Sequence, residues 1–401
     1  MTSRRRFIAC CSSAALLGAC ARQPAPTVND ISQLEPTEVA AVVPIRHTAD
    51  VSAALARHTG TVCVAGSVSV NCHRRYVGSG SIAGSVRALQ IVLRSGEVLE
   101  ASRTHNSDLF RAALGGYGLL GVITEVELDV VDNVAMARHT QRMSLDAYMD
   151  WFGEHVLADP RAIMHNADLM PPDFNAPLAV TWYRTDAALT DTERLVPVGA
   201  HYGTEQNLIW AVSELPGGAQ LREQLVVEKT LREPRVVRRN LEASLDVAAL
   251  EPRTRTMSTY LLQEYFIPIA HFRTFARMLA NILKAHQVNA LNVSIRHAPA
   301  DRLAVMSWAR EDVFCFVLYH KQRRLPWSDD RAAEWTRALI DAALLCGGRY
   351  YLPYRPHATL DQFQRAYPQW PELVACKRRY DPRLQLVNHL WQRYLGPLAG
   401  A

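Results

Sequence analysis

Long apolar runs, internal repeats, low-complexity tracts and a dominant charge sign are all lacking in this 401-residue chain, as are closely spaced cysteines beyond residue 20. After the first twenty residues no stretch stays apolar for the roughly 20 residues that a bilayer-crossing helix needs, so the body is expected outside the membrane. Of the eight cysteines, Cys10 and Cys11 fall in the N-terminal apolar run and Cys20 follows it. Cys63, Cys72, Cys315, Cys346 and Cys376 are an odd, widely spaced set. That excludes a dense disulfide framework, and no pair has zinc-ligand spacing; the expectation is small, buried, apolar residues and no metal site. The formal net charge of +5 falls to +2 when Arg4, Arg5 and Arg6 are set aside, because the first nineteen residues hold no acid. A body so near neutrality gives no reason to invoke nucleic acid. What is present, 49% hydrophobic and 21% charged residues, suits a globular protein with a sizeable core. The length allows two domains plus appendages.

Residues 1–20 read as an address. Ser3-Arg4-Arg5-Arg6-Phe7-Ile8 matches the twin-arginine export pattern, and a short apolar run over 9–19 follows. Leu17-Gly18-Ala19-Cys20 resembles a lipoprotein cleavage site, which implies export to the periplasmic side of a bacterial membrane with a lipid anchor at Cys20. The alternatives are an ordinary cleaved signal with an incidental cysteine, or an uncleaved anchor. Residues 21–41, with Pro24, Pro26 and Pro36, read as a polar tether.

The chain is organised around Gly115-Gly116-Tyr117-Gly118-Leu119-Leu120-Gly121-Val122-Ile123-Thr124. Upstream, Leu109, Phe110, Ala113 and Leu114 form an apolar stripe that predicts a helix capped by Asn106 or Ser107. Gly115 suits the left-handed position that closes a helix. Downstream, Val126, Leu128 and Val130 alternate with acids, the period of a half-buried strand. Gly116-x-Gly118-x-x-Gly121 also fits a dinucleotide-binding pattern, but here a helix precedes the glycines and a strand follows, the reverse of the Rossmann order. Taken alone, the motif is equally a tight helix-to-strand turn.

Its neighbours form an ordered series: Gly66-Ser67-Val68-Ser69-Val70-Asn71-Cys72-His73, a strand over 86–93, the turn Arg94-Ser95-Gly96, a strand over 97–101, and then the helix and glycine turn. This series resembles the second half of the flavin domain of the vanillyl-alcohol oxidase / p-cresol methylhydroxylase (PCMH-type) superfamily, with the nearest likeness to aldonolactone oxidases. The resemblance implies an α+β fold: an incomplete PCMH-type FAD-binding domain over 42–133 and an α+β cap domain with an antiparallel sheet over 134–401. Residues 42–66 read β-α-β, like the opening of that flavin domain. The chain then passes directly from Val64-Ala65 to Gly66, omitting the pyrophosphate loop and following strands that relatives carry there. Arg74 stands where relatives usually carry glycine.

The resemblance also implies site roles. Gly66, Ser67, Ser69 and Asn71 would offer amides and hydroxyls to FAD and its diphosphate, with Asn71 and His73 at the pyrophosphate or ring edge. Gly116, Gly118, Gly121, Val122 and Ile123 would meet the adenine and ribose end; Tyr76 and Tyr117 are cofactor contacts or packing aromatics. Without the family, Ser69 and Asn71 read as a self-capped turn and His73 as a structural histidine. In the second half, Leu145–Phe152 reads as a helix capped by Ser144, 178–183 as a strand, and 221–243 as a charged helical connector. Residues 259–268, 291–297 and 313–320 read as strands, 271–286 and 332–345 as helices. Glu264 matches a family strand whose glutamate lies near substrate, or else pairs with an arginine. Arg296 matches the arginine of a Glu-x-Arg strand over the flavin, with Ser294 in the glutamate's place. His357 matches a C-terminal histidine near the flavin, without the lysine that accompanies it in relatives; otherwise it is a surface residue.

The implied chemistry is oxidation of an alcohol carbon of a sugar lactone or polyol by hydride transfer to FAD, with His297 or His357 taking the hydroxyl proton. Oxygen or another acceptor would reoxidise the flavin. The competing expectation is a catalytically impaired exported lipoprotein of this family that acts as a binding protein.

Overall fold

The computed structural model describes residues 27–28, 34, 37–38, 66–197, 200–222, 227, 231–245 and 254–400. The expected β-α-β segment over 42–66, the signal and most of the tether lie outside them. The chain divides into Met1–Pro44 and Ile45–Ala401. In the first unit β1 (Thr27–Val28) pairs antiparallel with β2 (Thr37–Glu38).

Among the described residues the second unit holds two antiparallel sheets. The small one has the order β4-β3-β5, from β3 (Val86–Val92), β4 (Val98–Ser102) and β5 (Val122–Leu128). The β3–β4 hairpin forms as the sequence predicts, with Gly96 at φ 88° in its turn. The helix Ser107–Ala113 buries Leu109, Phe110, Ala112 and Ala113, and Gly115 takes φ 72° just beyond it. Asn106 occupies the N-cap but does not cap with its side chain; its Nδ2 donates to Glu100 O at 2.7 Å instead. The expected buried face of β5 is not realised. Val126 is 37% and Leu128 43% exposed; among the described residues β5 is an edge strand, and its register shifts between Gln90 and Ile91 of β3.

The large sheet runs β13-β10-β12-β11-β7-β8-β6-β9. Its strands are β6 (Ala135–Arg142), β7 (Ala162–Leu169), β8 (Leu178–Arg184), β9 (Val236–Arg238), β10 (Ser258–Pro268), β11 (Ala290–Ala298), β12 (Val313–Arg323) and β13 (Arg349–Tyr350). Strand β9 falls inside the stretch expected to be a helical connector; its pairing with β6 overrides the local pattern.

One face of this sheet is apolar and carries the helices. Phe272–Ala285 buries Phe272, Phe275, Ala276, Leu279, Ala280 and Leu283, the spacing of one helical stripe. Its Phe272 ring stands 4.8 Å from Phe314 and Phe275 stands 4.9 Å from Phe316, both on β12. Ser328–Leu345, four residues longer at its start than the sequence predicts, sets Trp335 against His320. Leu145–Phe152 is capped by Ser144, as expected, through a bond from Ala147 N. The main core is continuous from Val68 through Phe110 and Leu119 to Phe266, Trp308 and Leu395, so both halves of the chain share it. Among the described residues no helix is long and apolar enough to cross a membrane.

Candidate functional site

The serine-rich and glycine-rich segments meet in space. Gly115 N donates to Val68 O at 3.1 Å and Tyr117 N to Ser69 O at 2.9 Å. The serine segment also closes on itself: Val70, Asn71 and Cys72 donate to Gly66, Val68 and Ser67 carbonyls at 2.9–3.1 Å. The amides of Val70, Asn71 and Cys72 are therefore already bonded, Asn71 being one of the residues expected to face a diphosphate. Asn71, at φ 50° and 1% exposed, donates from Nδ2 to Asp301 Oδ2 at 2.7 Å and accepts from Ala83 N at 3.2 Å. Trp308 Nε1 donates to its carbonyl at 2.8 Å. Ser69 is buried; Gly66 and Ser67 are exposed.

The glycines have internal reasons too. A Cβ on Gly116 would come within 2.2 Å of Ala112 O, and one on Gly121 within 2.6 Å of Ile91 Cγ2 and 2.7 Å of Val92 O. Gly118 takes φ 73°. Val122 and Ile123 pair with Val92 and Ile91. From the other side Lys377 Nζ donates to Leu119 O at 2.9 Å and Asn388 Nδ2 to Tyr117 O at 2.7 Å. Neither anchor was visible from sequence, because each lies more than 250 residues from its carbonyl along the chain.

His73 leaves the serine segment through a bridge to Ser81 and reaches the large sheet. Its Nε2 lies against Glu264 Oε1, and its ring edges meet Phe266, Trp308 and Tyr351 at 6.1, 5.8 and 6.3 Å between centroids. In the register of the sheet Cys315 stands opposite both Phe266 and Arg296, so Glu264, Phe266, Cys315 and Arg296 share a face. His73, Glu264 and Cys315 bring donor atoms within 4.8 Å of one another. They are close enough to share a metal ion, yet Arg296 already supplies positive charge beside them. Burial, then Glu264, pushes the Cys315 thiol well above its usual range. Burial likewise raises the Tyr354 phenol, with Glu264 adding to it. His73 Nδ1 and Arg296 Nε are buried without hydrogen-bond partners, and neither Glu264 oxygen accepts a regular hydrogen bond.

The same face continues as a polar surface. Ser294 stands opposite Asp168 across β11 and β7. Asp168 accepts from Asn292 Nδ2 at 3.0 Å and Asn166 Nδ2 at 3.2 Å. Burial raises the Asp168 carboxyl, while Arg222, Asn292, Ser294 and Arg296 oppose that shift. Asn166, Asp168, Asn292, Ser294 and Arg296 all remain partly exposed. Sequence reasoning missed Asp168 and Asn292, although Asn166-x-Asp168 and Asn292-x-Ser294-x-Arg296 carry the spacing of one strand face.

Two expected catalytic residues lie elsewhere. His297 neighbours Arg296 and so points to the opposite face, where Phe152 and Phe314 pack on it at 5.4 and 5.6 Å. Burial lowers its pKa. His357 sits beside Asp329 at 3.8 Å, on the helix Ser328–Leu345, with burial lowering it to about 4. Neither joins the His73–Glu264–Arg296 cluster. Tyr76 bridges to Met164 and lies under Arg239, and Tyr117, at φ 55°, packs on the core.

Comparison with known proteins agrees with this frame. No protein-family model matches the chain. L-gulono-1,4-lactone dehydrogenase of Mycobacterium tuberculosis is 23% identical over 343 residues, covering 83% of this chain and 74% of that protein. A putative D-arabinono-1,4-lactone oxidase of Neurospora crassa is 39% identical over 74 residues, 18% of this chain and 13% of that protein. A VAO-type flavoprotein of Myceliophthora thermophila superposes with a TM-score of 0.52 at 16% identity; the match covers 84% of this chain and 64% of that one. In sequence the chain is similar to aldonolactone oxidases and dehydrogenases, and in fold to a VAO-type flavoprotein.

The fit to FAD differs between its two ends. His73 Nδ1, Glu264 Oε2 and Arg296 Nε are buried polar atoms without hydrogen-bond partners, a donor and acceptor set that would suit the polar edge of an isoalloxazine. At the diphosphate end, the amides of 70–72, 115 and 117 are already bonded within the protein.

Proposed function

We propose that the chain is an FAD-dependent oxidoreductase of CH–OH donors that takes a sugar-derived lactone or polyol on the polar face of the large sheet. The observation that carries this reading is the network of Asp168, Asn292, Ser294 and Arg296 beside the His73–Glu264 pair. It offers a carboxylate, amides, a hydroxyl and a guanidinium on one face, which matches the alternating donors and acceptors of adjacent hydroxyls. FAD, when bound, supplies the two-electron acceptor, and oxygen or another acceptor reoxidises it. Arg296 binds and orients the substrate and supplies positive charge. Glu264 and His73 hold the proton released from the reacting hydroxyl at Glu264 Oε2 or His73 Nδ1, the role expected of His297 or His357. The names of the relatives support the lactone class. Export with a lipid anchor at Cys20 belongs to the same proposal; loss of membrane association in Cys20→Ala tests it.

The activity test supplies the purified chain with FAD and follows reduction of an artificial acceptor by aldonolactones and alditols. Lactone-dependent turnover that falls on Arg296→Ala supports the proposal, and absence of turnover with any of them overturns it. A second reading is favoured by the internally bonded turns and the His73–Glu264 contact: a binding protein that has lost its redox role. Lactone binding by calorimetry with no acceptor reduction selects that reading.

A further inference from the structure

A cavity of about 480 Å³ lies beside, and separate from, the polar sheet face, between the loop that follows His73 and the segment after β11. Its wall carries three guanidiniums, Arg74, Arg103 and Arg302, together with Ser79 and the glycines Gly78 and Gly84. A Cβ added at Gly84 would meet nothing within 4 Å, so packing does not require that glycine, whereas Gly78 serves a left-handed backbone at φ 72°. Arg74 Nη2 donates to Ser85 Oγ at 2.6 Å while its buried Nε has no partner. Among the described residues Arg103 reaches the Ala83 and Gly84 carbonyls, at 3.4 and 3.3 Å.

The one acid on the wall is engaged with neutral donors and not with the arginines. Asp301 directs Oδ2 to Asn71 Nδ2 at 2.7 Å and Ser81 Oγ at 2.9 Å, and Oδ1 to the amides of Leu303 and Ala304 at 2.8 and 3.2 Å. Among the described residues no carboxylate stands within ion-pair distance of Arg74, Arg103 or Arg302. Three guanidiniums against one carboxylate leave the concavity net positive, a field that attracts an anion. Guanidiniums match the oxygens of phosphate in paired hydrogen bonds, and the volume lies in the range of small-molecule sites, about 300–1,000 Å³.

We propose that this cavity binds the phosphate group of a small phosphomonoester of sugar-phosphate size, through Arg74, Arg103 and Arg302. The site does not depend on the FAD reading. The test is calorimetric titration of the full chain at low ionic strength with glucose 6-phosphate, with glucose, and with sodium chloride at matched ionic strength. Wild type is expected to bind the phosphorylated sugar alone. Arg103→Ala and Arg302→Ala, both at exposed positions, are each expected to weaken it about tenfold or more. Wild-type affinity retained in both variants, no binding by wild type, or the same heat from chloride overturns the proposal. So does competition by FAD, which would assign the arginines to a dinucleotide; unchanged affinity in saturating FAD supports a separate site.

Discussion

Gly116→Ala and Gly121→Ala separate two reasons for a glycine-rich turn: room for a cofactor, or room for the protein itself. An alanine at 121 places its Cβ 2.6 Å from Ile91 Cγ2 and 2.7 Å from Val92 O. Ordinary carbon contacts lie at about 3.5–4.0 Å, so β3 and β5 must part by roughly 1 Å where Ile91 pairs with Ile123 and Val92 with Val122. At 116 the Cβ falls 2.2 Å from Ala112 O, in the last turn of a helix whose carbonyl has little freedom. Overpacking of this kind costs about 1–3 kcal/mol; the backbone contacts place both variants in the upper half of that range. The assay is urea unfolding of the full chain with no FAD added, followed by circular dichroism. A loss of about 2 kcal/mol or more in each variant is expected. Variants that unfold with wild-type midpoints would refute the packing argument and return the glycines to the cofactor.

Lys377, fully buried, donates to Leu119 O, to Asp381 Oδ2 at 2.8 Å and to Leu386 O. Lys377→Met strands Asp381 and is expected to cost about 3–5 kcal/mol, with the double variant Lys377→Met/Asp381→Leu recovering part of it in the same unfolding assay. His165 and His320, both held by burial at a pKa of about 3 against 6.5, stay neutral in the folded chain. Their folded pKa values are depressed, so their contribution is complete above pH 6.5 and is lost as pH falls toward 3. At pH 5 each accounts for up to about 2 kcal/mol, offset in part by the raised Asp168 carboxyl, which acts in the opposite sense. Unfolding midpoints that hold constant from pH 7 to pH 5 would contradict this. Asp168→Ala frees Asn292 and Asn166 of their acceptor and is expected to weaken lactone binding about tenfold, read by calorimetry; unchanged affinity would remove Asp168 from the site.

Much of the fold is legible locally. The hairpin around Gly96, the left-handed Gly115, the Ser144 cap and the apolar stripe of Phe272–Ala285 each rest on a few neighbouring residues. The site is legible only in pieces. Alternation along β11 separates Arg296 from His297, but which face is polar depends on the helices that cover Phe314 and Phe316. Asp168 enters through a strand pairing 126 residues away from Ser294. The internal bonding of the serine turn was hidden for a related reason. A Gly-Ser-rich run looks the same whether its amides face a ligand or, as at Val70, Asn71 and Cys72, their own carbonyls.

The most direct measurement is a titration of the purified full chain with FAD, followed by quenching of flavin fluorescence and by the absorbance of the protein fraction after desalting. The account predicts stoichiometric retention of flavin, weakened by Glu264→Gln and by Arg296→Ala, whose polar atoms converge where the ring end is placed. A chain that leaves the desalting column colourless, with FAD fluorescence unchanged throughout the titration, contradicts it.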